Sequence, residues 1–225
     1  MPFANHFQLL EFPILNLYRT PFFLPKLYPS LLWRVAVEEK NLYLTFDDGP
    51  VPGPTEFVLE QLEKYNAKAT FFCIGDNVRK HPMIFDKVLG GGHAIGNHTF
   101  NHLKGWSTSL QRYLENIDLC NAQLRTHNLQ LTTFFRPPYG RITSSQIKAL
   151  KNQYQIVMWD VLTHDYSRNI SPEQCLKGSI NSTRPGSIIV FHDSLKAERN
   201  LSHVLPKFLE HFTSHGYKFK TLLDV

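Results

Sequence analysis

Leu42-Tyr43-Leu44-Thr45-Phe46-Asp47-Asp48-Gly49 joins a short apolar run to two acids and a turn glycine. A run of that length, rich in aromatic and branched residues, reads as a buried strand. The pattern recurs: His98 follows Ala94-Ile95, Arg136 follows Phe134-Phe135, and His192 follows Ile188-Ile189-Val190-Phe191. Strand-like runs at 42–47, 69–75, 93–98, 133–137, 155–161, 187–192 and 217–222 alternate with helical patterns. Thr55 opens one such pattern through Phe57, Leu59, Leu62 and Tyr65, and Gly90-Gly91-Gly92 closes another after Pro82. Thr108, Thr143 and Ser171 each stand three residues before a glutamine, the signature of a capping box, and Pro172 suits the first helical position. Seven strands alternating with helices predict an α/β fold, a (β/α) barrel or a doubly wound sheet. Polar groups at the same end of several parallel strands converge on one rim, where such folds carry their chemistry.

Composition narrows the setting. A chain of 225 residues, 42% hydrophobic and 19% charged, suits one globular domain with a full core. The formal charge of +5 and the pI near 9.1 are mildly basic, but no run of five or six like charges occurs, so no nucleic-acid partner is expected. Cys73, Cys120 and Cys175 are widely spaced without a C-x-x-C pair, which argues against a disulfide framework and a cysteine zinc site. The sequons at Asn97, Asn169, Asn181 and Asn200 read as chance matches. The amino terminus is a poor signal peptide, because its first basic residue is Arg19 and Pro13, Pro21, Pro25 and Pro29 interrupt it. No uninterrupted apolar stretch reaches eighteen residues, so no spanning helix is expected. The tract from Phe3 to Trp33 is instead expected to cover one end of the barrel. Residues 1–40 are then an extension packed on the barrel, and 41–225 the catalytic domain. Cytoplasmic residence is the default without a signal; envelope association and oligomeric state stay open.

The polar residues suggest a division of labour. His98 and His102 are four apart, so on a helical turn both imidazoles face one way and can share a metal ion. Asp48 adds a carboxylate, completing a set used for metal-assisted hydrolysis. Its neighbour Asp47 is then free to take a proton from water, since two adjacent aspartates would otherwise raise each other's proton affinity. Arg136, stiffened by Pro137 and Pro138, is placed to pair with Asp47 and keep it ionised. His192 is the natural general acid because histidine titrates near neutrality, and Asp165 is the carboxylate expected to raise it.

Together these residues resemble the polysaccharide deacetylases of carbohydrate esterase family 4, the NodB-homology domain. Thr45-Phe46-Asp47-Asp48-Gly49 looks like the first motif, and His98-Thr99-Phe100-Asn101-His102 like the second. Arg136-Pro137-Pro138-Tyr139 looks like the third, and Val190-Phe191-His192 like the last. The fourth departs from its usual D-x-x-D-W: here Leu162-Thr163-His164-Asp165-Tyr166 keeps only the second acid. The resemblance spans roughly residues 41 to 222.

It implies a distorted (β/α) barrel of about seven parallel strands and one divalent ion, zinc by family expectation, on Asp48, His98 and His102. Asp47 would be the base, Arg136 its support, the Tyr139 N–H an oxyanion donor, and His192 the acid tuned by Asp165. Pro138, Trp159 and Tyr166 would meet the substrate, an acetylated oligo- or polysaccharide. The implied reaction is hydrolysis of an N-acetyl group on a glycan amino sugar. O-acetyl ester hydrolysis on a polysaccharide such as xylan, or an inactive carbohydrate-binding relative, are the alternatives.

Overall fold

The computed structural model describes residues 17–127 and 132–225. Among them are eight strands: β1 (Asn41–Asp47), β2 (Ala69–Cys73), β3 (Ala94–Asn97), β4 (Phe134–Phe135), β5 (Gln155–Ile156), β6 (Val161–Leu162), β7 (Ile188–His192) and β8 (Lys218–Phe219). The α-helices are α1 (Phe23–Leu27), α2 (Pro54–Lys64), α3 (Gly75–Lys80), α4 (Pro82–Gly90), α5 (Leu110–Arg125), α6 (Ser144–Leu150), α7 (Pro172–Ser182) and α8 (Glu198–Ser214). Every strand pairing is parallel, in the order β5-β4-β3-β2-β1-β7-β6, with β8 beside the start of β1. The curled sheet is the distorted (β/α) barrel that the sequence predicts.

The two-residue period of β1 sorts its side chains onto two faces. Leu42, Leu44 and Phe46 join Val58 and Leu62 of α2 and Leu205 and Phe208 of α8 in the layer between sheet and helices. Tyr43 faces the barrel interior with Phe72, Phe134, Val157 and Ile188. Thr45 and Asp47 follow Tyr43 on that face, so the interior turns polar towards the C-terminal rim. Gly96 makes room there, since a Cβ at that position would stand 2.3 Å from the Phe72 ring.

The run 155–161, expected as one strand, is two. Val157 N–H still donates to Phe135 O on one edge of the sheet, whereas Asp160 N–H donates to Ile188 O on the other. The segment therefore crosses the open side of the barrel and changes partner midway, which an unbroken apolar run cannot reveal. The preceding chain fills the same gap. Leu32 N–H donates to Ile156 O and Met158 N–H to Leu32 O, while Thr20 N–H donates to Asp160 O and Leu162 N–H to Tyr18 O. Both free sheet edges thus find backbone partners in residues 18–32, and Leu31 and Trp33 are buried with Met158 and Ile156. The earlier part of the Phe3–Trp33 tract, through residue 16, lies outside the described residues. No helix among the described residues is long and apolar enough to cross a membrane.

Candidate active site

Strands β1, β3, β4 and β7 end on the same rim of the sheet, with β2 between β1 and β3, and the chain segments leaving them bring together Asp47, Asp48, His98, His102, Arg136, Tyr139 and His192. Most of them line a cleft of about 370 Å³, with Trp159, Leu162 and Tyr166 on its walls. Arg136 and Asp165 are buried just beneath it. Pro138 is also buried and is not among the cleft-lining residues.

Asp47 and Asp48 point to different partners. Arg136 is fully buried, and its Nη1 donates to Asp47 Oδ1 and to Thr45 Oγ1, each at 2.7 Å. Its Nε and Nη2 donate to the carbonyls of Val157 and Met158, and the guanidinium lies 4.1 Å from the centre of the Phe72 ring. The guanidinium is held on all sides, and among the described residues its charge is compensated by Asp47 alone. Asp48 turns away with φ 83°, a backbone state uncommon outside glycine and asparagine-like residues. Its carbonyl accepts from Asn77 Nδ2 at 2.7 Å, and the next N–H, of Gly49, donates to Asp193 Oδ1 at 3.0 Å.

His98 and His102 do not lie on a helical turn as the four-residue spacing suggests. They sit on the loop after β3, where Thr99 (φ 65°) and His102 (φ 56°) both adopt left-handed backbone. Asparagine side chains hold this loop: Asn97 Oδ1 accepts from Thr99 N–H, and Asn116 Oδ1 accepts from the N–H groups of Phe100 and Asn101. The outcome for the rings is nonetheless convergence. Nε2 of His102 is 3.2 Å and Nε2 of His98 3.7 Å from Asp48 Oδ1.

This donor set fits a divalent cation. One ligand atom from each of Asp48, His98 and His102 lies within 4.8 Å of the others. His98 Nδ1–H donates to the Arg136 carbonyl at 2.8 Å, which fixes the tautomer and turns the Nε2 lone pair towards Asp48. Burial holds His98 down to about 4, so the ring is neutral and ready to ligate. Burial would raise Asp48, but the His102 hydrogen bond and the charges of His192, His98 and His102 outweigh it and keep the carboxylate well below its usual range. Three protein ligands leave open positions, the pattern of a catalytic site.

His192 ends β7, level with Asp47 in the sheet register. Asp165 grips it twice, accepting from His192 N–H at 2.7 Å and from Nδ1–H at 2.8 Å. Burial alone would lower this histidine; the charge and hydrogen bond of Asp165, reinforced by Asp48 and Asp47, instead push it up to about 9. Nε2 is left as the proton-bearing atom free to face the cleft, with the Tyr166 ring edge-on at 4.9 Å. Tyr139, at φ 60°, packs its ring against His102 with centroids 4.5 Å apart.

The arrangement can hold a cation, activate water with a carboxylate, and protonate a leaving group from the far side. A family model described as polysaccharide deacetylase matches residues 34–157, more than half of the chain. The chain belongs to the polysaccharide deacetylase family. It is 36% identical over 197 residues to a peptidoglycan-N-acetylglucosamine deacetylase of Bacillus cereus, covering 86% of this chain and 91% of that protein. It is also 36% identical to a chitooligosaccharide deacetylase of Azorhizobium caulinodans over 71% of this chain and 77% of the other. A crystal structure of a peptidoglycan N-acetylglucosamine deacetylase superimposes with a TM-score of 0.83 at 30% identity, covering 91% of this chain and 96% of that one.

In this member of the family the altered fourth motif keeps its place at the site. Leu162 and Tyr166 line the cleft while Asp165 reaches beneath it, the strand alternation being broken by His164 at φ 58°. One participant escaped sequence reasoning. Asp193 is fully buried, and its carboxylate accepts from Gly49 N–H and from the Thr55 hydroxyl at 2.6 Å, tying α2 and the Asp48 turn to the end of β7. Burial pushes it up to about 8, against the lowering effect of those hydrogen bonds. Its position directly after His192 was the available signal.

Proposed function

We propose that this protein removes acetyl groups from N-acetylated amino sugars of a glycan, releasing acetate and a free amine. The reading rests on one observation above all: the buried Asp47–Arg136 pair stands beside the Asp48–His98–His102 cluster and in register with the Asp165-bound His192. The nitrogen-linked acetyl is preferred because the relatives described above are named for N-acetylglucosamine and chitooligosaccharide deacetylation. A catalytic unit over 41–225, with the preceding segment as its cover, follows from the same reading.

Asp48, His98 and His102 would hold a divalent ion, zinc on the family expectation and compatible with two nitrogens and an oxygen. Such an ion, when bound, supplies Lewis acidity towards an acyl oxygen and lowers the pKa of water. The chain's own groups do the rest. Asp47, kept ionised by Arg136, takes a proton as water attacks the acetyl carbon. The Tyr139 N–H serves as a fixed donor for the negative charge that develops on the acyl oxygen. His192, protonated at neutral pH, gives its proton to the sugar nitrogen as the C–N bond breaks. Trp159 and Tyr166 offer apolar faces against which a sugar ring can lie.

The test is acetate release from N-acetylglucosamine oligomers by wild-type protein and by Asp47→Asn. The variant is expected to lose at least about 100-fold in kcat, the scale of a lost general base, while binding zinc as well as the wild type. Wild-type-like turnover by Asp47→Asn would remove the assigned base. Acetate from acetylated xylan but not from the amino-sugar oligomers would overturn the N-acetyl assignment.

A further inference from the structure

Four of the eleven large apolar side chains exposed among the described residues fall between residues 17 and 27: Leu17 (44%), Phe22 (79%), Phe23 (36%) and Leu27 (66%). A lone exposed apolar residue is ordinary, but several on one face mark a contact surface. Helix α1 sorts its side chains by the spacing of one turn. Leu24 and Tyr28 face inward, packed against the cluster of Leu31, Trp33 and Met158. Phe23 and Leu27, also four apart, face solvent, and no residue of α1 is fully buried. Phe22 stands at the helix start with its ring 6.0 Å from that of Phe23, and Lys26 Nζ lies 5.7 Å from its centre.

The charge of this stretch has one sign. Between Glu11 and Glu38 the sequence holds Arg19, Lys26 and Arg34 and no acid. None of the three forms an ion pair among the described residues; Arg19 and Arg34 donate to the carbonyls of Ser182 and Pro185. The sequence leading into it is of the same apolar kind: residues 3–16 hold one acid, Glu11, and no lysine or arginine. A protein partner needs about 800 Å² of matching surface. Helix α1, five residues and about 7.5 Å long, is too small to supply that. A lipid surface needs no matching shape. It takes phenylalanine and leucine side chains into the boundary beneath its headgroups and holds cations beside its phosphates.

We propose that the outward face of α1 attaches the protein to an anionic lipid surface: Phe22, Phe23 and Leu27 enter the headgroup boundary, and Lys26 lies against lipid phosphates. The attachment also orients the cleft. Thr20 Oγ1, in the lead-in to α1, donates to Trp159 O at 2.6 Å, and Trp159 lines the cleft. The lipid plane therefore lies on the Trp159 side of the opening. The inference does not depend on the reaction assigned to that cleft.

Sedimentation of the full chain with lipid vesicles tests this. One set is phosphatidylcholine alone; the other is equimolar phosphatidylcholine and phosphatidylglycerol. Wild-type protein is expected to sediment with the mixed vesicles at low salt. It should bind at least about fivefold less to the neutral vesicles, or to the mixed ones at about 0.5 M salt, where surface charge is screened. Lys26→Gln should weaken binding to the mixed vesicles about fivefold, the contribution of one cation at an anionic surface. Phe22→Ser/Phe23→Ser/Leu27→Ser should lose at least about tenfold, with thermal unfolding like that of the wild type. Leu110→Ser/Leu119→Ser, which removes exposed apolar side chains from α5, should bind as the wild type does. Wild-type protein left in the supernatant with both vesicles, or retention that the triple serine variant keeps, would overturn the inference. So would a wild-type dimer, free of lipid binding, that the triple variant makes monomeric, since a second copy would then cover the face. Acetate release from soluble oligomers, followed in the same samples, separates failure of this inference from failure of the deacetylase reading.

Discussion

At the residue scale, the site depends on two neighbouring carboxylates being kept apart in role by backbone geometry. Asp47 still follows the strand and points inward to Arg136; Asp48, at φ 83°, points outward to the imidazoles. Gly49 sets that turn, because a Cβ there would lie 1.9 Å from Asp193 Oδ2. Gly49→Ala is expected to destabilise the fold by about 1–3 kcal/mol, the usual cost of overpacking, and to lower activity further by displacing Asp48. Denaturant unfolding together with kcat checks both parts, and unchanged values would contradict the close packing. In the proposed mechanism His192 carries the pH dependence. Its folded value of about 9 lies above the ordinary 6.5, so the acid form, and the stability it contributes below pH 6.5, are lost as pH rises through about 9. Asp165→Asn removes the charge and one of the two acceptor oxygens that raise it, and should move the alkaline limb of the kcat profile to lower pH. A limb that stays in place would show that His192 is not the group titrating.

At the element scale, the loop after β3 does the work that a helix would have done more simply. The Asn116 side chain on α5 accepts from two of its N–H groups, of which Phe100 N–H also reaches the Asn116 backbone carbonyl, so Asn116→Ala leaves the Asn101 N–H unpaired and should cost about 1–3 kcal/mol. It should also weaken zinc binding, since His102 follows directly on Asn101. Calorimetric zinc titration of the folded variant tests this, with wild-type affinity as the contrary result. The spacing of His98 and His102 carried their convergence but not its backbone, since two left-handed residues leave no mark in a hydrophobic pattern. Capping signatures were legible where the local sequence acts alone: the Thr143 and Ser171 boxes close as expected. The Thr108 box does not, because its hydroxyl donates to Lys104 O and Ser109 stands at the helix start. Likewise the apolar length of 155–161 was legible, whereas its change of partner between β4 and β7 is a property of the curled sheet, whose two edges it bridges.

At the scale of the whole molecule, residues 17–35 complete the barrel by pairing with both of its open edges. Trp33 is the main anchor, buried in the core with its Nε1–H donating to Tyr28 O at 3.1 Å. Trp33→Ala should cost about 3–5 kcal/mol and loosen the 157–160 crossing, whose carbonyls hold Arg136. Thermal unfolding and kcat should therefore fall together; a drop in stability with unaltered kcat would separate the cover from the site. The expectations about activity assume that Asp48, His98 and His102 grip one divalent ion and that turnover needs it. The decisive measurement is a zinc titration of chelator-treated protein, following bound metal and acetate release in the same samples. We predict about one ion per chain, as a single three-ligand site requires, with activity recovering in step with occupancy and neither seen in His98→Ala. Full acetate release from metal-free protein, or binding that His98→Ala leaves untouched, would contradict the account.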